Sequence, residues 1–372
     1  MSAIGSGQAA PTAAMFSLPN GAVALWCGMA VALCAGVLVA AQFGAVSVQP
    51  GDWWAPWNAL HHWLNVDSSQ AASRPSGSAH VLWHIRIPRI VFALGIGAAL
   101  GLTGALTQGL FRNPLADPGL LGVTSGAACA AALSIVVLAS LQLPLPMQWR
   151  PYLLPLSAFT GALLVCFVLD RVSRWLVPGS IAGLLLTGVA LNAVAASVIG
   201  LCTYLATDEQ LRSLSFWTLG SLAGATWPLV EALLVLTAWA GWRTSLLARQ
   251  LNALALGEAA AAHVGIHVNR LRTRVTVWVA FVCGFAVAWC GMIGFVGLIA
   301  PHLARTWVGP DQRRLLPWSA FIGACLLLLA DTIARTLVIP AEVPVGIFTA
   351  LLGGPFFLVM LRAMVRQRGL QT

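Results

Sequence analysis

The stretch from Arg86 to Ala128 reads RIPRIVFALGIGAALGLTGALTQGLFRNPLADPGLLGVTSGAA, and its layout decides the fold class. An apolar span opens on a spaced arginine pair, Arg86 and Arg89. It stops at a polar turn, Arg112-Asn113-Pro114, and a second breaker follows at Asp117-Pro118. Proline has no amide proton to donate and a fixed φ, so helices end at both points. The next span then begins on small residues, Ser125-Gly126-Ala127-Ala128. A helix apolar on every face and long enough to cross a bilayer belongs in lipid.

Composition extends that reading to the whole chain. Of its 372 residues 59% are hydrophobic and 8% charged, with a mean hydropathy of +0.85, values typical of a polytopic membrane protein. All twenty basic residues are arginine. A chain without lysine has no P-loop, whose lysine holds the β- and γ-phosphates, so it is not itself an ATPase. ATP-driven transport would need the ATPase of another chain. The net charge of +9 comes from arginines scattered singly between apolar runs. That pattern fits a positive-inside bias and excludes a nucleic-acid-binding stripe. Cys27, Cys34, Cys129, Cys166, Cys202, Cys283, Cys290 and Cys325 all lie in apolar runs without a CxxC, and read as small buried hydrophobes.

Hydropathy marks ten spans: 22–46, 88–111, 118–141, 151–170, 180–205, 227–247, 275–292, 294–307, 315–338 and 344–363. The eighth is too short to cross and reads as a partial helix. An even count puts both termini on one side, where fourteen arginines collect against six on the other. The positive-inside rule places that side in the cytoplasm. The first span lacks a basic leader region and is kept as a span rather than a signal peptide. Residues 1–21 and 366–372 are then cytoplasmic tails around a single transmembrane domain, 22–365. Its long outer loop, 47–85, carries Trp53, Trp54, Trp57 and Trp63 and reads as a piece lying in the interfacial aromatic belt. Asp331 and Glu342 are expected to face outward with the other outer acids.

A weak internal repeat supports the membrane plan. The span after Arg89 runs through GALTQGLF into a proline turn, and the span after Arg274 runs through GMIGFVGLIAPH into another. An odd number of crossings separates them, so the two insert in opposite orientations, as in transporters built from inverted repeats. Gly97 and Gly101 form a GxxxG spacing that permits close helix packing without diagnosing a function. GIGAALG is not a dinucleotide fingerprint, because its third glycine is misplaced and no strand precedes it.

Several motifs in order along the chain carry a resemblance. They are RxPR at Arg86 to Arg89, RNPLADPGLLGVTSGA after the second span, LALGE at Leu254 to Glu258, GFVGLIAPHLAR at Gly294 to Arg305, LLLADTIAR at Leu327 to Arg335, and PAEVPVGIFTALLGGPFFLVML near the end. Together they resemble the FecCD (BtuC-like) permeases, the membrane subunits of type II ABC importers for iron-siderophore, haem and vitamin B12. The match runs from about residue 80 to 365. The resemblance implies an all-α polytopic protein of about ten transmembrane helices in the bacterial inner membrane. It implies a dimer with a second copy or a paralogue, two cytoplasmic ABC ATPase subunits that use ATP, and a periplasmic substrate-binding protein. No cofactor is held permanently.

The resemblance also assigns residues. Arg86, Arg89 and Arg335 would dock the binding protein by meeting its glutamates, since charged rims steer encounter and fix register. The polar segment at about 250–270, the one long cytoplasmic connection, would couple to the ATPase through Leu256, Gly257, Glu258 and Ala259. It reads as a helix from Leu254 to His263, a break at Gly265, and a basic helix. The cytoplasmic gate would lie at Ser180, Ile181 and Ala182, with Thr187, Asn192, Ser197 and Thr203 along a weakly polar pathway. His61, His62, His80 and His84 lie outside the spans, where they could at most receive haem at the outer mouth. His263 and His267 fall in the coupling segment and His302 in the eighth span. Haem leads as the cargo, with ferric siderophore and cobalamin open beside it. A secondary carrier would need acids buried mid-membrane, and an intramembrane enzyme a catalytic motif such as HExxH or GxSxG; the sequence offers neither.

Overall fold

The computed structural model describes residues 20–44, 46–56, 77–138, 140–141, 146–177, 180–339 and 341–369. The readings made for His61, His62, Trp57 and Trp63 lie outside the described residues, as do residues 1–19 and 370–372 of the two tails. Helix α1 (Asn20–Gln42) leads to α2 (Gly77–Phe111), a single run of 35 residues that widens into a π-turn at Leu82–Arg86. At 1.5 Å per residue α2 is roughly 50 Å long, more than the hydrocarbon core of about 30 Å, so it starts well outside the apolar layer. It ends where Arg112 turns left-handed, φ +51°, and Pro114 forbids another turn. Asp117 then caps a short 3-10 turn by accepting from the Gly119 amide at 2.7 Å. Gly122, at φ +75°, redirects the chain into α3 (Val123–Leu138).

Long helices α4 (Arg150–Leu176) and α5 (Ile181–Leu205) follow, and the Ser180 hydroxyl caps α5 by accepting from the Gly183 amide at 3.0 Å. Helix α6 (Asp208–Leu219) starts on a capping box formed by Thr207 and Gln210. This helix falls between the spans marked by hydropathy, and T-D-E-Q is its start signal in the sequence. Then come α7 (Trp227–Ser245), α8 (Ala248–Ala255), α9 (Glu258–His263), α10 (Val268–Cys290), α11 (Val296–Val308), α12 (Gln312–Thr336) and α13 (Val345–Gly369). Among the described residues six helices, α2, α4, α5, α10, α12 and α13, are long and apolar enough to cross a membrane. The short eighth span takes shape as α11, of 13 residues. The third span, expected over 118–141, is shorter than expected. Its first turn is the 3-10 turn, and the helix proper begins at Val123.

The chain is built twice from one plan: a long helix, a break containing a left-handed residue, a short helix, a long helix and an outlying helix. In α2 to α5 the break is Arg112–Gly122; in α10 to α13 it is Gly291–Phe295. Helix α2 packs chiefly on α12 and α11 of the second unit, and α10 packs chiefly on α4 and also on α3 of the first. Ion pairs show the inversion. Glu258 reaches Arg112, just past the end of α2, and Arg272, in the first turns of α10, so the two long helices meet at one end while running in opposite directions. Helix α2 is the centre of the bundle, its most apolar window 83% buried, against 17% for α5 and 22% for α13.

Small residues make the central contact possible. A Cβ on Gly97 would lie 2.3 Å from the Gly323 carbonyl oxygen, on Gly101 2.1 Å from that of Ser319, and on Gly104 1.8 Å from that of Gly297. Backbone therefore touches backbone along α2, α11 and α12. Close approach of this kind supplies dispersion contacts where lipid removes the hydrophobic drive for helices to associate.

Candidate functional site

Charged side chains gather at the two ends of the bundle. At the first end the N-terminal part of α2, the last turns of α12 and the C-terminus of α1 meet. Arg86 donates from Nη1 to the Ala41 carbonyl at 2.9 Å and from Nη2 to that of Val46; Arg335 donates to the carbonyls of Phe43, at 2.9 Å, and Ala40. The Ala40 and Ala41 carbonyls are among those a helix leaves unpaired at its C-terminus, where cations are favoured, and Phe43 and Val46 follow just beyond the helix end. Arg89 pairs through Nη2 with Asp331 at 2.9 Å and through Nη1 with Glu342 at 2.7 Å. Arg335 lies 3.8 Å from Asp331, four residues before it on α12.

The three arginines expected to dock a partner are thus brought together. Their surroundings differ from the expectation of an outer rim: they are only 5–9% exposed, and each is engaged with internal partners. Asp331, expected to face outward, is fully buried, because two guanidinium groups converge on its carboxylate. The side chain of Glu342 is 48% exposed and forms the open edge of the cluster. The sequence carried one signal of this arrangement, the i, i+4 spacing of Asp331 and Arg335 on a helix.

At the opposite end lies the segment from α8 to α10. Helix α8 buries Ala248, Leu251 and Leu254 against the bundle. Its junction with α12 is polar: Asn252 donates to Asp311 at 2.6 Å and accepts from the Gln312 amide at 2.9 Å. Burial acts to raise the Asp311 pKa, but hydrogen bonds from the Arg313 amide and Asn252, with the charges of Arg313 and Arg314, hold it below its ordinary value. The expected single helix from Leu254 to His263 is instead two, because Gly257 sits at φ +119°, where a side chain is strained; Gly265, at φ +81°, makes the expected break. Leu256 is 80% exposed and Val264 69%, with Ala259 exposed between them. Glu258, opening α9, is held from behind by Arg272 at 3.1 Å.

The expected gate lies beside this segment, where Ser180 joins α4 to α5; Ala182, the second residue of α5, is exposed. Thr187 and Asn192 do not line an open face. Thr187 is buried and bonded to the Gly183 carbonyl, and Asn192 contacts Ser125 and donates to the Gly119 carbonyl. They turn inward because Gly188 sets α5 close against the Leu120 carbonyl. Ser197 and Thr203 stand on the exposed face of α5. His80 and His84 are exposed one turn apart on the first turns of α2, rings stacked at 4.6 Å, while His302 packs edge-on against Phe356.

Two inverted helical units around a central helix, with charge gathered at both ends and a partly exposed helical connection at one of them, define a membrane permease. The chain belongs to the FecCD transport family, which it matches over residues 32–363. It is 47% identical over 292 residues to the hemin transport system permease protein HmuU of Yersinia pestis, covering 78% of this chain and 85% of that one. It is 36% identical over 336 residues to the vitamin B12 import system permease protein BtuC of Escherichia coli O157:H7, covering 90% and 93%. A solved metal-chelate type ABC transporter in an inward-facing conformation shares the fold at a TM-score of 0.75 and 30% identity, covering 92% of this chain and 99% of that one.

Proposed function

We propose that this chain is the permease subunit of an ATP-driven importer that takes haem from a periplasmic binding protein across the bacterial inner membrane. Identity to the hemin permease, 47% against 36% for the vitamin B12 permease, carries the choice of cargo. Two copies pair in the membrane, each seated on a cytoplasmic ATPase subunit, with both termini cytoplasmic. The exposed apolar faces of α5 and α13 support pairing, and the edge formed by exposed Leu256 and Ala259 with half-buried Gly257 and Glu258 between them supports the ATPase contact. Ser180, Ile181 and Ala182 form the cytoplasmic gate, and the exposed face of α5, with Ser197 and Thr203, lines the path.

Docking takes place at the arginine end. Among the described residues the ion pairs there join Arg89 and Arg335 to Asp331 and Arg89 to Glu342, while Arg86 bonds to backbone carbonyls. A carboxylate of the binding protein engages Arg89 by replacing Glu342, the exposed partner, while Asp331 keeps Arg89 and Arg335 aligned. The test is uptake by proteoliposomes holding the permease, its ATPase and the haem-loaded binding protein. ATP-dependent haem delivery that survives an uncoupler is expected. Delivery of cyanocobalamin or a ferric siderophore without haem overturns the cargo.

A further inference from the structure

The Thr273 hydroxyl on α10 has two acceptors: the Asp170 carboxylate on α4, at 3.2 Å, and the Asn269 carbonyl of its own helix, at 3.1 Å. One proton makes one full-strength bond at a time, and the charged acceptor is the stronger of the two. Asp170 has a second partner as well, Arg174, one turn along α4. If α4 and α10 part here, the hydroxyl falls back on Asn269 and the carboxylate keeps Arg174. A bond in such a setting ordinarily resists separation because breaking it strands a donor or an acceptor. Here neither is stranded, so the contact opens at little cost.

Its position gives the contact a use. Asp170, Ser173, Ser180, Asn269, Arg272 and Thr273 line one small cavity. Arg272, next to Thr273 on α10, holds Glu258 of the coupling segment. Ser180, in the same cavity wall, caps the N-terminus of α5. Neighbouring residues on a helix project about 100° apart, so one turn of α10 faces the coupling segment with Arg272 and α4 with Thr273.

We propose that Thr273 and Asp170 form a reversible clasp that passes displacement of the coupling segment to the α4–α5 turn. Both are positioning residues: closed, the clasp holds the α4 end and Ser180 against α10; open, it frees the start of α5. The inference rests on the coupling and gate assignments made above.

The test compares Thr273→Val, Asp170→Ala, their double variant and Thr273→Ser in proteoliposomes with ATPase and binding protein, measuring haem delivered per ATP hydrolysed. Each loss-of-bond variant is expected to lower that ratio at least threefold, the double no further than either single, and Thr273→Ser to keep the wild-type ratio. A purely structural role would lower assembly or both rates in parallel and leave the ratio unchanged, which overturns the clasp. Should Asp170→Ala fail to assemble, Thr273→Val, which keeps side-chain shape, decides alone. A cargo-free arm measures the distance between spin labels at Trp175, 81% exposed, and Val264 with and without ATP. The wild type is expected to show an ATP-dependent shift that Thr273→Val abolishes, and an unaffected shift overturns the clasp. A wild type that moves no haem yet shows the shift removes the cargo assignment alone.

Discussion

Asp331 has lost all contact with water, and its carboxylate is shared between Arg89 and Arg335. Removing one member of a buried pair leaves the other charge uncompensated, at a cost of about 3–5 kcal/mol. Glu342 touches the same Arg89 from an exposed position, where a pair contributes about 0–1 kcal/mol. Asp331→Asn is therefore expected to lower thermal stability in detergent sharply, and Glu342→Gln to leave it nearly unchanged. Glu342→Gln has a second expected effect under the proposed exchange at Arg89: tighter capture of the binding protein, because the internal competitor has lost its charge. Titration of the permease with binding protein checks it, and weaker capture would show that Glu342 assists docking rather than competing.

At the scale of the element, the breaks matter as much as the helices. Helix α2 meets α11 and α12 with backbone against backbone, so its glycines have no room to grow. Gly104→Ala places a methyl 1.8 Å from the Gly297 carbonyl and must push α11 away, whereas Gly28→Ala meets nothing within 4 Å. The first change is expected to cost well over the 1–3 kcal/mol of ordinary overpacking and to abolish recovery of monodisperse protein. The second is expected to be silent in the same size-exclusion measurement. A GxxxG spacing by itself announces close packing somewhere. What faces it, Ser319 and Gly323, lies more than two hundred residues away in sequence.

Across the whole molecule, the inverted units place the arginine cluster at one end and α8, α9 and the α4–α5 turn at the other. The orientation proposed for the membrane then makes a topological prediction. Met147, 84% exposed before α4, and Leu256, 80% exposed between α8 and α9, fall on opposite sides. Cysteine at 147 is expected to react with an impermeant maleimide in intact spheroplasts, and cysteine at 256 only after permeabilisation. The reverse pattern would turn the molecule over and exchange the docking and coupling ends.

The sequence by itself determined the all-helical membrane fold, the breaks after Phe111 and near Gly291, the short α11 and the opposed orientation of the two units. Each depends on local quantities: run length, proline and glycine positions, and the parity of crossings. Only the tertiary structure decided that Arg86 and Arg335 cap α1, that Asp331 is buried, that Thr187 and Asn192 turn inward, and that Thr273 lies beside Asp170. The partners in these contacts are often tens to hundreds of residues apart, and nothing in the composition of one segment states which carbonyl or carboxylate will arrive beside it. A charge near a span end reads the same whether water or another helix covers it; burial supplies the difference, and burial is a property of the packed bundle.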